Sequence, residues 1–257
     1  MDSTAVTLHI VETGMFVTLA VFCRVGSAIM VLPGIGELSI PPRIRLTFAM
    51  LTSFVLAPVV KANYPEAPGE ILSFAGLLLS EIVIGLALGL IVRMFLMALQ
   101  VAGNVIASQT GLSFAQNFDP SLGVQGALLS TFLTILGITL IFESNLDHLM
   151  IAGLKNSYTL LPPGGSLPFG DLADLATRTF SVVFKLGIQL AAPFIVFSLV
   201  FYAAAGAVAR LLPQIQIFFL TVPLSILGGF ALLMVTIGSL MLVFLNAYEA
   251  MLSAPWL

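Results

Sequence analysis

The stretch LLPQIQIFFLTVPLSILGGFALLMVTIGSLMLVFLNAY, residues 211–248, runs for 38 residues without an Asp, Glu, Lys or Arg. As one helix at 1.5 Å per residue it would reach about 57 Å, roughly twice the hydrocarbon core of a bilayer. Pro223 and Gly228-Gly229 lie inside it, so the expectation is a kink or a hairpin rather than a straight rod. Three more uncharged runs, residues 94–118, 120–142 and 186–209, are 25, 23 and 24 residues long. About 20 apolar residues cross a bilayer core, so each run can hold a span, and Pro193 breaks the third as Pro223 breaks the last. The reading is an all-α, polytopic membrane-type protein with long, kinked helices and re-entrant hairpins.

Composition narrows the function classes. Of 257 residues, 59% are hydrophobic and 8% charged, and the mean hydropathy is +1.13. A soluble domain carries about 25% charged residues, so a soluble enzyme and a disordered chain are both excluded. Nine Lys+Arg against twelve Asp+Glu give a net charge of −3, which leaves no electrostatic footprint for nucleic acid. Cys23 is the one cysteine; an intrachain disulfide and a multi-cysteine metal site are ruled out. A chain of 27.2 kDa has room for about six membrane-length helices and no appended soluble domain. Asp2 and Glu12 stand where a cleavable signal would need basic residues, so the first apolar stretch is expected to remain.

Single charges and turn residues divide the chain into expected helices at 5–32, 42–62, 70–104, 120–158, 171–212 and 215–253. Pro33-Gly34-Ile35-Gly36 stops the first, and Pro41-Pro42 starts the second, where a missing N–H costs nothing. Residues 63–69 form the next turn, and Pro162-Pro163-Gly164-Gly165 with Pro168 and Gly170 the longest loop. Asp171 is expected to cap the helix it opens, with Asp174 and Arg178 as an i,i+4 pair. Arg43 and Arg45 are the one clustered basic pair, a thin vote for placing that loop in the cytoplasm.

The polar stretch Gln109-Thr110-Gly111-Leu112-Ser113-Phe114-Ala115-Gln116-Asn117-Phe118-Asp119-Pro120 cannot face lipid, because its backbone groups would go unpaired. It lies either at the water interface or along a protein-enclosed, partly wet cavity, where it would line or block a pore. Asp119-Pro120 is a strong helix start. Arg24, Arg45, Glu81, Arg93, Lys185 and Arg210 sit in or beside apolar helices, where an unpaired charge costs several kcal/mol. Buried or inter-subunit pairing is favoured over a proton relay, since no Asp/Glu/His chain accompanies them. Glu143 and Asp147 read as i,i+4 on one helical face beside His148; like charges so spaced are more often a solvated face than metal ligands. No nucleophile elbow, HExxH motif or phosphate-binding glycine loop is present, so neither an enzyme nor a cofactor or metal is indicated.

The order of motifs resembles the FliR family, export-gate subunits of the bacterial flagellar type III secretion apparatus. The matching residues are Phe22-Cys23-Arg24-Val25-Gly26, Leu32-Pro33-Gly34-Ile35-Gly36, Ile40-Pro41-Pro42-Arg43-Ile44-Arg45, Glu81-Ile82-Val83-Ile84-Gly85 and Gln109-Thr110-Gly111-Leu112-Ser113. Asp119-Pro120, Leu212-Pro213-Gln214-Ile215-Gln216-Ile217-Phe218-Phe219 and Pro223-Leu224 complete the series. The resemblance implies one export-gate domain over 1–257 in the bacterial inner membrane, at the flagellar basal body. It implies a non-enzymatic role beside FliP- and FliQ-type subunits, with an FlhB-type subunit, in a pore for unfolded exported polypeptides. It also implies that the loop matching 107–122, with Gln109 to Asp119 at its centre, plugs that pore. In that family the assembly stands raised out of the bilayer, which would turn long apolar faces toward partner subunits. The injectisome homologue shares the layout, although the Gln109 to Ser113 stretch looks more flagellar. A secondary transporter with broken helices and a non-conducting scaffold are the competing classes.

Overall fold

A computed structural model describes the backbone of residues 3–37, 39–66, 68–113, 127–165, 169–211 and 217–253, and the side chains there except those of 3–13, 127, 217 and 218. Helices α1 (Ser3–Ile29), α2 (Pro42–Val60), α3 (Ile71–Met94), α4 (Leu96–Gln109), α5 (Ala127–Glu143), α6 (Leu146–Leu160), α7 (Phe169–Leu211) and α8 (Ile217–Leu252) carry the chain, with a 3₁₀ turn at Lys61–Asn63 and no strand among the described residues. Pro41 is the residue before α2 and Pro42 its first position, as the missing N–H of proline favours.

Several boundaries differ from the sequence-based expectation. The helix expected over 70–104 is interrupted at Phe95 and extends to Gln109. The one expected over 120–158 breaks between Glu143 and Leu146, where Asn145 takes φ 57; Asn tolerates this left-handed conformation better than most residues. Glu143 and Asp147 therefore do not share one helical face. The expected start at Asp119-Pro120 lies outside the described residues. Asp171 falls in the first turn of α7, which begins at Phe169, so it stands near the dipole's positive end rather than at the cap. The last apolar run makes no hairpin: α8 is one helix of 36 residues with Pro223 inside. α7 likewise passes through Pro193 over 43 residues. Pro223 lies near the start of α8, where a proline removes few hydrogen bonds. Pro193 lies in the interior of α7, where the helix continues through the one bond it lacks.

The chain forms two compact units. One comprises Met1–Met94, Phe142–Thr179 and Glu249–Leu257; the other comprises Phe95–Ile141 and Phe180–Tyr248. In the first, α1 packs on α2 and α3, and α6 packs on both of those. Val17, Ala20, Val21, Val25, Ala28 and Ile29 line the buried face of α1, opposite Ile84, Leu88 and Val92 of α3. The three- and four-residue spacing is what a helix needs to turn one stripe inward. In the second unit Ala98, Leu99, Ala102 and Ile106 of α4, Leu133 of α5, Leu190 and Phe194 of α7 and Phe244 of α8 are buried. Phe95 meets the Tyr248 ring edge-on at 5.9 Å, a favoured aromatic geometry.

Four helical stretches among the described residues are long and apolar enough to cross a membrane, Pro42–Asn63, Ile71–Gln109, Phe169–Leu211 and Phe219–Leu252, or five if the broken pair α5–α6 counts as one. The two other expected helices are α5–α6, broken into two short helices, and α1, whose described side chains form an apolar helix over Gly14–Ile29. The most apolar part of Ile71–Gln109 is 56% buried, against 17% in α7 and 22% in α8. Val196, Leu199, Val200, Met234 and Val235 are among the exposed side chains. Water cannot be the surroundings of such surfaces.

Candidate functional site

Two polar clusters stand out, one in each unit. The first grows from a close approach of α1 and α3. A methyl group at Gly85 would overlap the Arg24 carbonyl oxygen and the Ser27 hydroxyl, so glycine is what lets these backbones touch. Glu81 lies one turn before Gly85 and thereby faces Arg24. Both side chains are fully buried, and Arg24 Nε donates to Glu81 Oε2 at 2.7 Å. Arg24 Nη2 donates to Glu81 Oε1 at 2.8 Å and to the Leu161 carbonyl at 2.9 Å. Nη1 reaches the Ser157 carbonyl at 3.2 Å and its hydroxyl at 3.3 Å. The guanidinium thus has an acceptor for every N–H it carries.

The surroundings complete the cluster. Ser157 lies in the last turn of α6 and Leu161 follows that helix, so Arg24 also meets the carbonyl-rich, negative end of α6. The Tyr158 ring lies 4.2 Å from the guanidinium carbon, within cation–π range. Tyr64, just past the 3₁₀ turn, donates to Glu81 Oε2 at 3.0 Å, and Asn63 Nδ2 donates to the Tyr158 carbonyl at 3.1 Å. Burial first, then neighbouring Tyr158 and Glu81, raises the Tyr64 phenol above its ordinary range. Among the described residues the buried Tyr158 hydroxyl has no hydrogen-bond partner. Chemically the cluster is closed: each charge is matched inside it, and it ties α1, α3, α6 and the α2–α3 connection into one piece. Such a pair contributes less to stability than to selecting one packing, because desolvation offsets most of its Coulombic gain.

The other charges named from the sequence are placed differently. Arg93 reaches Glu37 at 3.5 Å with both side chains partly exposed, and it donates to the Val31 carbonyl at 3.2 Å. Arg45 is partly buried, and among the described residues its Nε has no hydrogen-bond partner. Lys185 and Arg210 are exposed on α7. Asp174 and Arg178 pair at 2.8 Å on the exposed face of α7. Asp147 and His148 approach at 3.2 Å, while Glu143 is exposed at the end of α5.

The second cluster is the C-terminal end of α4 in the other unit. Ser198 of α7 donates to the Gln109 side-chain oxygen, and the Thr110 hydroxyl returns to the Ile106 carbonyl at 2.9 Å. A methyl at Gly229 of α8 would overlap the Thr110 side chain, so that glycine lets α8 close over the α4 terminus. Gly111 turns the chain with φ 78, and Leu112 and Ser113 are partly buried. One turn earlier, Ser130 of α5 donates to Asn104 at 2.8 Å. The root of the expected plug, Gln109 to Ser113, is therefore packed against α7 and α8; Phe114, Ala115, Gln116, Asn117, Phe118 and Asp119 lie outside the described residues. Sequence reasoning missed Ser157, Tyr64, Ser198 and Gly229. Of these, the Gly228-Gly229 pair in an apolar helix was a visible signal of close approach.

Comparison with known proteins agrees with the order of motifs. Residues 15–251 match the family described as Bacterial export proteins, family 1. The chain is 42% identical over 238 residues to a flagellar biosynthetic protein FliR of Caulobacter vibrioides, covering 93% of this chain and 95% of that one. It is 34% identical over 213 residues to the protein of the same name from Escherichia coli, covering 82% and 80%. A third, from Bacillus subtilis, is 30% identical over 236 residues, covering 90% of each.

Proposed function

Since the chain belongs to the bacterial export proteins of family 1, among the flagellar biosynthetic proteins FliR, we propose that it is a non-enzymatic subunit of the flagellar type III protein export gate. In this reading it forms, with FliP- and FliQ-type subunits and next to an FlhB-type subunit, the pore through which unfolded flagellar proteins leave the cytoplasm. It acts as one functional domain in the bacterial inner membrane at the flagellar basal body, and the segment from Gln109 to Asp119 blocks the closed pore. The family match over residues 15–251 carries the proposal. The long α7 and α8 add support: at 43 and 36 residues they measure about 64 and 54 Å, well beyond a bilayer core. Their apolar surfaces need neighbouring protein chains over much of that length. Exposed Lys185 and Arg210 then become candidates for contacts with those chains, and the closed Arg24–Glu81 pair becomes an internal brace rather than an ion path.

Mass measurement of the gently solubilised complex tests the assembly. A hetero-oligomer dominated by other small membrane proteins is expected; a monomer or homodimer defeats it and favours a transporter. Deleting Leu112 to Asn117 tests the plug. Assembled gates carrying the deletion should admit ions or small dyes while still co-purifying with their partners. A tight, fully assembled gate after that deletion would remove the plug.

A further inference from the structure

Helix α4 is enclosed over most of its circumference, and what it leaves open differs from the open faces of α7 and α8. Its exposed side chains are Met97, Gln100, Asn104 and Ser108, spaced by three, four and four residues and therefore one narrow stripe. Residues 94–118 hold no charge, so beyond Met97 the stripe is both neutral and polar. Glycines bring other helices close around it. A methyl at Gly103 would overlap the Ser130 backbone of α5, and one at Gly187 of α7 would overlap Val101. Ser130 donates to the Asn104 side-chain oxygen at 2.8 Å, which fixes that carboxamide and leaves its N–H donors for another acceptor. Ser108 returns its hydrogen to the Val105 carbonyl at 2.8 Å and keeps lone pairs to accept with. The Gln100 carboxamide bonds to no neighbouring helix among the described residues.

We infer that this stripe is a wall of the conduit, and that Gln100, Asn104 and Ser108 offer hydrogen-bonding groups to the backbone of an extended polypeptide in transit. The inference rests on the export-gate reading and names the face of the chain that lines its pore. Lipid does not cover the stripe, because carboxamides in hydrocarbon would find no partners. Nor does a partner helix: close helix contacts use small residues, as this chain does at Gly103, Gly187 and Gly229, whereas Met97, Gln100 and Asn104 are long. The uncovered side chains of α7 and α8, such as Leu199, Val200, Met234 and Val235, are apolar instead. An extended polypeptide carries an N–H and a C=O to satisfy at each residue, and a carboxamide supplies both a donor and an acceptor. Being uncharged, the stripe favours neither acidic nor basic segments. Gln100 and Ser108 lie about 12 Å apart along the helix, a length that about four extended residues cover. Ser108 directly precedes Gln109, where the segment proposed to block the closed pore begins, so the stripe leads straight to the block.

The test uses the full chain with the polypeptides that co-purify with it, in cells exporting a flagellar protein fused to a folded domain too stable to pass. A photo-reactive phenylalanine analogue replaces Gln100, Asn104 or Ser108 in turn, with Val196 and Met234 as the comparison. The stalled polypeptide should cross-link from the three α4 positions and not from the other two. Gln100→Leu should slow export of the unfused protein about fivefold, the ~1 kcal/mol that one net hydrogen bond contributes, with the complex intact. Gln100→Asn, which keeps the carboxamide, should not. Cross-links from α4 to a co-purified membrane subunit instead of the stalled polypeptide overturn the inference and leave the export gate standing. Unchanged export in Gln100→Leu removes the hydrogen-bonding role. A stalled polypeptide that never co-purifies with the complex defeats the export-gate reading, and the conduit wall falls with it. Because Gln100 and Ser108 bond to no neighbouring helix among the described residues, a misfolded Asn104 variant does not decide the outcome.

Discussion

The buried polar groups of the two units are built from different chemistry. In the unit holding α1, α3 and α6, Arg24 and Glu81 are fully buried charges with acceptors and donors matched on every side. In the other unit the buried polar side chains that pack α4 against its neighbours, Thr110, Ser130, Ser198 and Ser225, are small and neutral. A buried charge tolerates one arrangement only, since any shift leaves an ion in an apolar medium. A hydroxyl that already returns its hydrogen to its own helix can lose a neighbour at little cost. The first unit is thus locked by electrostatics. The second is held by close packing at positions such as Gly229, and by hydrogen bonds that are individually weak.

Removing one charge tests this contrast most severely. Arg24→Met leaves Glu81 buried without its cation and should destabilise the protein by about 3–5 kcal/mol, seen as lost monodisperse yield. Arg24→Met with Glu81→Leu should recover most of the loss; a double variant as poor as the single one would mean that the pair is not what locks the unit. Next in size, Tyr64→Phe removes a hydrogen bond to a carboxylate and should cost about 1.5–3 kcal/mol in a denaturation titration. It should also change the alkaline limb. Burial raises the Tyr64 phenol above its unfolded value, so its contribution is complete below about pH 10 and declines as the pH rises further, because the unfolded chain then binds fewer protons. The decline should be shallower in Tyr64→Phe.

On the neutral side the effects should be smaller. Ser198→Ala deletes the bond to Gln109 and should cost about 0.5–1.5 kcal/mol; a loss as large as that of Arg24→Met would erase the distinction between the units. Smallest of all, Tyr158→Phe removes an unpartnered hydroxyl while keeping the ring that faces Arg24. Stability should stay level or rise by less than about 1 kcal/mol, measured by the same titration.

Local chemistry was the legible part of this molecule. Pro41-Pro42 marks the start of α2, and the uncharged runs mark α7 and α8, because a proline or a missing charge acts within a few residues. Pro223 reads as a kink or a hairpin, and the hairpin does not form, since α8 runs on past it as one helix. The break at Ser144-Asn145 could have been read, since Asn followed by Leu146-Asp147 offers a left-handed residue and an acidic first turn. The pairing of Arg24 with Glu81 could not, because they are 57 residues apart and meet through the register that Gly85 sets between α1 and α3. The family resemblance named both arginine and glutamate motifs but carried no statement that they touch. Likewise, nothing near Gln109 in the chain points to Ser198, 89 residues away.

The alternation of the chain between its units has a consequence for synthesis. The first unit begins with α1 yet includes Glu249–Leu257, and Leu252 joins Leu32, Leu88 and Met150 around one apolar gap. The part that starts first is therefore completed last. Until the ribosome has released the end of α8, Arg24 and Glu81 can find each other, but the surface behind them stays open. Nascent chains of intermediate length should be the form that insertion factors hold longest.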